Sequence, residues 1–197
     1  IELIISQWLH RFLANFQLRV IYLWESSFVL SVLVAIPLGL WSGMKKNKMT
    51  DQVISILAYI GISIPAFWLG LMLIIVFALN LHWLPSNGMR TVGVKSVFDV
   101  AKHLILPGIV LSIGNMSVFT RYIRSNTISQ LEEEYVLTAR SKGITERKIM
   151  LKHVLKNCLL PVITLAGMNL ASLVTGSFII ESVFGWPGMG TFGNECN

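Results

Sequence analysis

The stretch Glu132–Pro161 reads EEEYVLTARSKGITERKIMLKHVLKNCLLP, and it is the only long polar segment of the chain. The chain has 197 residues, of which 54% are hydrophobic and 13% are charged. Soluble domains carry about 25% charged residues, so this composition predicts a single membrane-embedded unit. A charged stretch between apolar segments has to lie in water, and it is the natural place for a soluble partner to bind.

The basic residues favour a membrane topology over a nucleic-acid partner. The net charge is +6, and a basic surface can bind nucleic acid. Here, however, Lys and Arg are concentrated in loops between apolar runs, which is the pattern of cytoplasmic loops in membrane proteins. The basic residues on the predicted cytoplasmic side are Lys45, Lys46, Lys48, Arg121, Arg124, Arg140, Lys142, Arg147, Lys148, Lys152 and Lys156.

Four apolar segments have about the 20 residues that a transmembrane helix needs, or more. We predict an all-α, polytopic transmembrane helical bundle with residues 1–17 as an extracytoplasmic lead-in and 18–197 as one transmembrane domain. The predicted spans are 18–43, 53–81, 104–122 and 158–180, and a cytoplasmic loop covers 123–157. Because Cys158 and Cys196 fall at opposite faces and show no metal-ligand spacing, neither a disulfide nor a metal site nor another cofactor is predicted.

Several polar or helix-breaking residues within the spans are candidates for a hinge or a transport pathway. Pro65 lies in the middle of the second span, where it indicates either a packing kink or a gating hinge. Asn115 and Asn169 accompany small residues in the third and fourth spans, which is typical of faces that pack within a bundle. Glu25 lies in the first span, either at the membrane boundary or in a pathway.

The polar stretch itself predicts two helices joined by a glycine. Residues 132–142 can form a helix in which Tyr135 and Ala139 share one face. Gly143 is placed to end this helix in a left-handed conformation. Thr145 can then cap a second helix.

The second helix is predicted to be amphipathic and to lie at the membrane surface. Its basic stripe consists of Lys148, Lys152 and Lys156, and we expect Pro161 to mark a bend between this surface helix and the last span. The pattern alone leaves two interpretations open, a solvated connection with basic residues on lipid headgroups or an elbow that binds a soluble partner.

Several motifs, in order along the chain, resemble those of binding-protein-dependent ABC transporter permeases of the oligopeptide, dipeptide and nickel branch. The resemblance rests on TARSKG and KHVLKNCLLPVIT in and after the polar stretch, and it covers residues 36–190. The other matching segments are IPLG (36–39), GISIPAFWLG (61–70), HLILPGIVLSIG (103–114), TRYIRS (120–125) and ESVFGWPGMG (181–190).

The resemblance implies a type I importer (MetI-like) permease fold of six spans, of which this chain holds a core of four. It also implies that the helix 134–143 is a coupling helix that docks in a groove of an ATP-binding subunit. The residues that match this helix are Glu134, Tyr135, Ala139, Arg140, Lys142 and Gly143.

The implied partners are ATP-binding subunits, a second homologous permease, an extracytoplasmic solute-binding protein and the lipid bilayer of the cell membrane. The chain is not expected to be an enzyme, because it has no Gly-rich loop ending in Lys-Ser or Lys-Thr for ATP. The substrate stays open between a peptide, a nickel chelate, glutathione or another solute. Two further hypotheses are a channel or secondary transporter independent of an ATPase, with Glu25, Asn115 and Asn169 as its path, and a membrane-embedded assembly factor.

Overall fold

The computed structural model describes residues 25–91, 93–94, 96–175 and 178–186, with the side chains of 169–175 and 178 excepted. The residues in these ranges form helices and connecting turns, without a strand, so the predicted all-α fold is confirmed. The predicted lead-in 1–17 and Cys196 lie outside these ranges. The helices are α1 Glu25–Met44, α2 Met49–Ser63, α3 Ala66–Leu73 with π-helical turns Ile74–Asn80, α4 Val97–Leu131, α5 Glu134–Ser141, α6 Glu146–Ile149 with a π-helical turn Met150–Val154, α7 Leu155–Thr175 and α8 Phe178–Val183.

By length and composition, three of the described helical segments could cross a membrane. They are Glu25–Met44, Val97–Leu131 and Glu146–Met168, and a fourth is added if α2 and α3 form one bent span. The break between α2 and α3 falls at Pro65, which has extended backbone angles (φ −61°, ψ 131°) and accepts a hydrogen bond from the Leu69 N–H at 3.0 Å. The break follows from proline chemistry, since proline has no amide hydrogen and disfavours a helical residue before it.

The helix that contains the predicted third span, 104–122, is longer than that span, since α4 runs from Val97 to Leu131. Ser96 starts it early by accepting a hydrogen bond from the Phe98 N–H at 3.2 Å, as an N-cap residue does. The helix also continues beyond Arg121 and Arg124, since no Gly or Pro stands between Asn115 and Leu131 to stop it. Polarity marks where lipid contact ends, whereas a helix ends at its caps, so the first nine residues of the predicted loop 123–157 are helical.

The surface helix and the last span form one continuous helical segment at Pro161, where the sequence predicts a bend between them, and the start of the span at residue 158 stays a prediction. Pro161 lies inside α7, and the apolar helical segment extends from Glu146 to Met168. Val154, Cys158 and Val162 are all buried at four-residue spacing, so one packed face passes the proline without interruption. An interior proline removes one backbone hydrogen bond, and membrane helices tolerate this loss when neighbouring groups pack around the site.

The helix that contains the second predicted span begins before residue 53. α2 starts at Met49 rather than at residue 53, so Asp51 belongs to the first helical turn and not to the basic loop. An acidic residue suits this position because it complements the positive end of the helix dipole. The helix of the first predicted span ends at Met44, one residue beyond the predicted boundary of that span, and the predicted start at residue 18 lies outside the described ranges.

The chain divides into two compact units, of which the first comprises the described residues within 25–28, 64–112 and 172–186. Its core joins α3, the first part of α4 and α8 through Leu106, Val110, Ile180 and Phe184. Gly70 of α3 permits this approach, since a Cβ placed on it would lie 3.2 Å from the Phe184 ring. The core residues packed around these four are Leu69, Leu73, Ile74, Phe77, Leu84, Leu111 and Val183.

The second unit comprises Val29–Ser63 and Ile113–Ala171, and it contains the whole polar stretch. Here α1 and α4 approach closely through two glycines one turn apart. A Cβ on Gly39 would lie 2.7 Å from the Ile123 Cβ, and a Cβ on Gly43 would lie 2.6 Å from the Thr127 Cβ. Small residues at this spacing let two helix backbones approach, as in membrane helix pairs generally.

The close approach of α1 and α4 predicts that Gly39→Ala destabilises the protein. The new methyl group meets the Ile123 Cβ and, at 3.0 Å, the Thr120 carbonyl oxygen, neither of which can rotate away. Overpacking of this kind costs about 1–3 kcal/mol, which exceeds the gain in helix propensity of about 1 kcal/mol. The measurement is thermal unfolding of the full-length protein in detergent, where we expect a lower Tm.

Gly114→Ala is the matched control, because nothing lies within 4 Å of the methyl group that it adds inside α4. This variant should unfold at the wild-type temperature or slightly above it. Equal Tm values for the two variants would contradict the close approach.

Candidate functional site

The polar stretch folds into α5, a tight turn and α6, and its glycine ends the first helix as predicted. Gly143 has φ +72°, in the left-handed region that favours glycine. The N–H of Gly143 donates to the Arg140 carbonyl (2.9 Å), and the N–H of Ile144 donates to the Ala139 carbonyl (3.2 Å). These two bonds form a Schellman motif, which satisfies the last carbonyls of α5 and fixes the direction in which the chain leaves it.

Thr145 occupies the predicted N-cap position of α6, with extended backbone angles. Its side chain, however, makes no capping hydrogen bond. Instead, the Thr145 carbonyl accepts the N–H groups of Lys148 (2.9 Å) and Ile149 (3.0 Å). The helix start is therefore where the sequence predicts it, while the capping contact is backbone only.

The inner face of α5 packs on a core that belongs to the second unit. Val136 is fully buried and Ala139 is nearly so, and Tyr135 packs against the same core. The prediction that Tyr135 and Ala139 share a face is confirmed, and that face points into the protein. The remaining core residues come from α1, α4, α6 and α7: Leu40, Leu131, Ile144, Ile149, Met150, Val154 and Cys158.

A polar link ties α5 to α4 and α7. The Tyr135 hydroxyl donates to the Gln130 side-chain oxygen at 2.8 Å. The Asn157 amide also donates to Gln130 (3.0 Å) and to the Tyr135 hydroxyl (3.4 Å). The sequence analysis missed Gln130 and Asn157. The one sequence feature that could have indicated them is an uncharged amide side chain near a helix end whose other residues are charged or apolar.

An ion pair spans the turn at Gly143. The Arg140 Nε donates to one Glu146 carboxylate oxygen at 2.6 Å, and Nη2 donates to the other at 3.2 Å. This paired hydrogen bond raises the pKa of Arg140 above its ordinary value, so its guanidinium stays charged. Because both side chains are exposed, the pair adds little stability. Its two hydrogen bonds link α5 to α6 across the turn.

The outer face of α5 is open. Leu137 lies on it and is 56% exposed. Of the predicted site residues, Glu134, Lys142 and Gly143 are also exposed, whereas Arg140 is exposed but engaged with Glu146. The predicted set is therefore divided: Tyr135 and Ala139 hold α5 in place, and the others face outward.

The basic stripe on the second helix of the polar stretch is arranged as the sequence predicts. Lys148, Lys152 and Lys156 are all exposed, and the opposite side of the same helical segment supplies Ile149, Met150 and Val154 to the core. The segment is therefore amphipathic. Its location at a membrane surface stays a prediction.

Asp51 forms a buried hydrogen-bond network that the sequence analysis missed. Its carboxylate accepts two hydrogen bonds from Arg124, from Nε at 2.5 Å and from Nη2 at 2.8 Å. It also accepts the Ser42 hydroxyl at 2.5 Å and the Asn47 N–H at 2.9 Å. Asp51 thereby joins the end of α1, the following turn, α2 and α4 within the second unit.

A second, exposed ion pair connects the same turn to the start of the polar stretch. Lys46 Nζ lies 2.9 Å from a Glu132 carboxylate oxygen. Both side chains are at least half exposed, so the pair is a weak contact that salt would screen. Together with Asp51, it shows that the α1–α2 turn and the α4–α5 junction are neighbours.

The four hinge or pathway candidates are dispersed along the helices. Pro65 stands at the break before α3, Pro161 lies inside α7, and Asn115 is half-buried in α4. The Asn169 side chain lies outside the described part of the structure. Glu25, which opens the described part of α1, is exposed. In the described residues, no group of three or more His, Cys, Asp and Glu side chains is arranged to hold a metal ion.

Comparison with known proteins gives matches over most of the chain. Residues 35–195 match the profile of a family described as "Binding-protein-dependent transport system inner membrane component". The chain is 42% identical to the oligopeptide transport system permease protein AppB of Bacillus subtilis (strain 168), over 83% of the chain and 52% of the relative.

Two glutathione transport system permease proteins, both GsiC, are also similar. The protein of Salmonella choleraesuis (strain SC-B67) is 38% identical over 88% of the chain and 54% of its own length. The protein of Escherichia coli O1:K1 / APEC is 36% identical over 86% of the chain and 53% of its own length. The chain therefore spans about half the length of the curated relatives that it matches.

The Asp51 network predicts that breaking the ion pair on one side is costly. We expect Asp51→Leu to lower the free energy of unfolding by about 2 kcal/mol, because Arg124 then keeps its charge in a partly buried site without a partner. Adding Arg124→Leu to this variant should restore part of the loss. The measurement is a double-mutant cycle by chemical or thermal unfolding of the full-length protein in detergent.

The cycle has a clear opposing outcome. If the double variant is less stable than Asp51→Leu by the full effect of Arg124→Leu alone, the two side chains act independently. That result would exclude the paired network as a structural element.

Proposed function

Because the chain belongs to the family of binding-protein-dependent transport system inner membrane components, we propose that it is part of the membrane-spanning permease subunit of an ATP-driven importer. The cargo that best fits its relatives is a short peptide, since they are named for oligopeptide and glutathione transport. ATP is bound and hydrolysed by partner subunits, and the chain itself takes no cofactor. A second homologous permease and an extracytoplasmic solute-binding protein complete the assembly in a cell membrane.

The observation that carries this proposal further is the outer face of α5. A helix with a fully anchored inner side and an exposed Leu137 has the form of a docking element. Apolar groups at the centre of an exposed face, with polar residues around them, are typical of protein interaction sites. Around Leu137 these polar residues are Glu134, Thr138, Ser141 and Lys142, all of them exposed. We therefore assign docking of an ATP-binding subunit to this face, on the cytoplasmic side.

The inner face of α5 can transmit a displacement of α5 to the helices packed against it. Val136 and Ala139 share a core with α1, α4 and α7, and Tyr135 is hydrogen-bonded to α4. A close-packed core has low compressibility, so a displacement of α5 is passed to the helices around it. Closure of the ATP-binding subunits would in this way move the long helices between inward-facing and outward-facing states.

Among the hinge candidates, Pro65 has the strongest support. It separates α2 from α3 with an extended residue, which is where a helix pair can change its angle at low cost. Asn115, Pro161 and Asn169 stay candidates for the transport path or for helix packing.

Docking through the outer face predicts that Leu137→Asp prevents binding of the ATP-binding subunit. The substitution places a charge at the centre of the face and leaves the core under α5 unchanged, so the permease itself should fold normally. We expect at least a tenfold loss of co-purified ATP-binding subunit, together with loss of ATP-dependent uptake in proteoliposomes.

Val97→Asp is the matched control, since Val97 is 88% exposed at the start of α4, within the first unit. It should bind the ATP-binding subunit as the wild type does. If Leu137→Asp retains both the subunit and uptake, the docking face is wrong. Uptake that persists in proteoliposomes without any ATP-binding subunit would favour a channel or secondary transporter instead.

The left-handed turn predicts different outcomes for two substitutions of Gly143. Asn tolerates a positive φ, whereas the β-branched Val does not, and space is not the issue because nothing lies within 4 Å of an added Cβ. Gly143→Val should therefore displace the turn and uncouple ATP hydrolysis from uptake, while Gly143→Asn should keep most of the activity. Equal transport rates for both variants would show that the turn geometry is not needed for coupling.

A further inference from the structure

A cavity of about 430 Å³ lies between α2 and α4 in the second unit, and no residue of α5 lines it. Six of the seven side chains that line it can donate hydrogen bonds. The polar side chains that line it are Ser55, Tyr59, Arg121, Tyr122, Arg124 and Ser125.

Arg124 is held in the cavity wall by a buried carboxylate. Its Nε and Nη2 donate to Asp51, which is 2% exposed, so the guanidinium plane has a fixed orientation. Its Nη1 has no acceptor among the residues that the structure describes. The Arg124 side chain is 30% exposed, and this remaining donor is available to a group in the cavity.

Arg121 is held differently, by an aromatic ring. Its guanidinium carbon lies 4.6 Å from the centre of the Tyr59 ring, in a cation–π contact. Stacking leaves the N–H groups of a guanidinium free, because they point outward in its plane. Within the described residues, no carboxylate lies within 4.0 Å of Arg121, so the cavity has two guanidinium groups and a single buried carboxylate.

We propose that this cavity binds the phosphate of an anionic lipid headgroup. Phosphate fits because guanidinium groups bind its oxygens through paired hydrogen bonds, and the excess positive charge of the site selects an anion. Exposed Ile56 and Ile60, which lie on the same helix as Tyr59, offer an apolar path for acyl chains beside the site.

The place of the cavity along α4 also favours a lipid. Arg121 and Tyr122 stand where the apolar part of the helix gives way to the polar residues that lead to Leu131. Tyrosine and arginine are enriched at this depth, and basic sites between membrane helices are places where acidic headgroups bind. Tyr122 is 47% exposed, so the site opens toward the surroundings of the protein.

A bound headgroup would act on the fold through Arg124. Because Arg124 is also the partner of Asp51, an anion at the site would share the guanidinium that joins α2 to α4. The lipid would then stabilise the second unit, whose core carries α5.

The test is native mass spectrometry of the full-length permease in complex with its partner subunits, after delipidation in detergent. The probes are phosphatidylglycerol, phosphatidylcholine with matched acyl chains, and inorganic phosphate. We expect one phosphatidylglycerol to remain bound to the wild type, with an affinity about tenfold lower for Arg121→Gln. Arg90→Gln, which removes an exposed arginine that does not line the cavity, should match the wild type.

Several results would overturn the proposal. They are equal phosphatidylglycerol retention in the wild type and Arg121→Gln, equal retention of phosphatidylcholine, and displacement of the lipid by micromolar inorganic phosphate, which would mean a site for a free anion. Reduced peptide uptake by Arg121→Gln with unchanged lipid binding would likewise assign the site to cargo.

A second variant keeps the test decisive if Arg121→Gln does not fold. Ser125→Leu fills the cavity from the exposed surface of α4 and retains both arginines. It should also lose the bound phosphatidylglycerol, and full retention by this variant would count against the site.

Discussion

The carboxylate of Asp51 is the interaction on which the second unit depends. It receives hydrogen bonds from the end of α1, from the turn after it and twice from Arg124 on α4, although it is almost fully buried. A buried charge is costly unless it is fully paired, and this one is. Asp51 in this way joins the end of α1, the start of α2 and α4 within the second unit.

The local features of the polar stretch could be predicted from the sequence because each depends on neighbouring residues only. Gly143 ends a helix because glycine adopts the left-handed turn at the lowest cost, and the hydrogen bonds of that turn link residues three and five apart. The shared face of Tyr135 and Ala139 follows in the same way from helical spacing. The direction of that face could not be predicted, because it depends on Leu40 and Leu131 of other helices.

Two differences between expectation and structure arise because a charged residue or a proline was taken to mark where a helix ends. Arg121 and Arg124 mark a change of environment, but α4 continues for several residues beyond them. Pro161 removes one backbone hydrogen bond, but the helix continues through it, with Val154, Cys158 and Val162 buried along one face. The pairing of Asp51 with Arg124 joins residues 73 positions apart, and no local pattern contains that information.

The division of α5 into an inner and an outer face has a consequence for how such a subunit can change. Residues on the inner face are constrained by their own chain, through the core and through Gln130, whereas residues on the outer face make no contribution to that core. Under the proposed docking, the residues of the inner face and those of the outer face are under different selective pressures. Substitutions at positions such as Leu137 and Lys142 could therefore adapt the permease to a new ATP-binding subunit while its own folding stays the same.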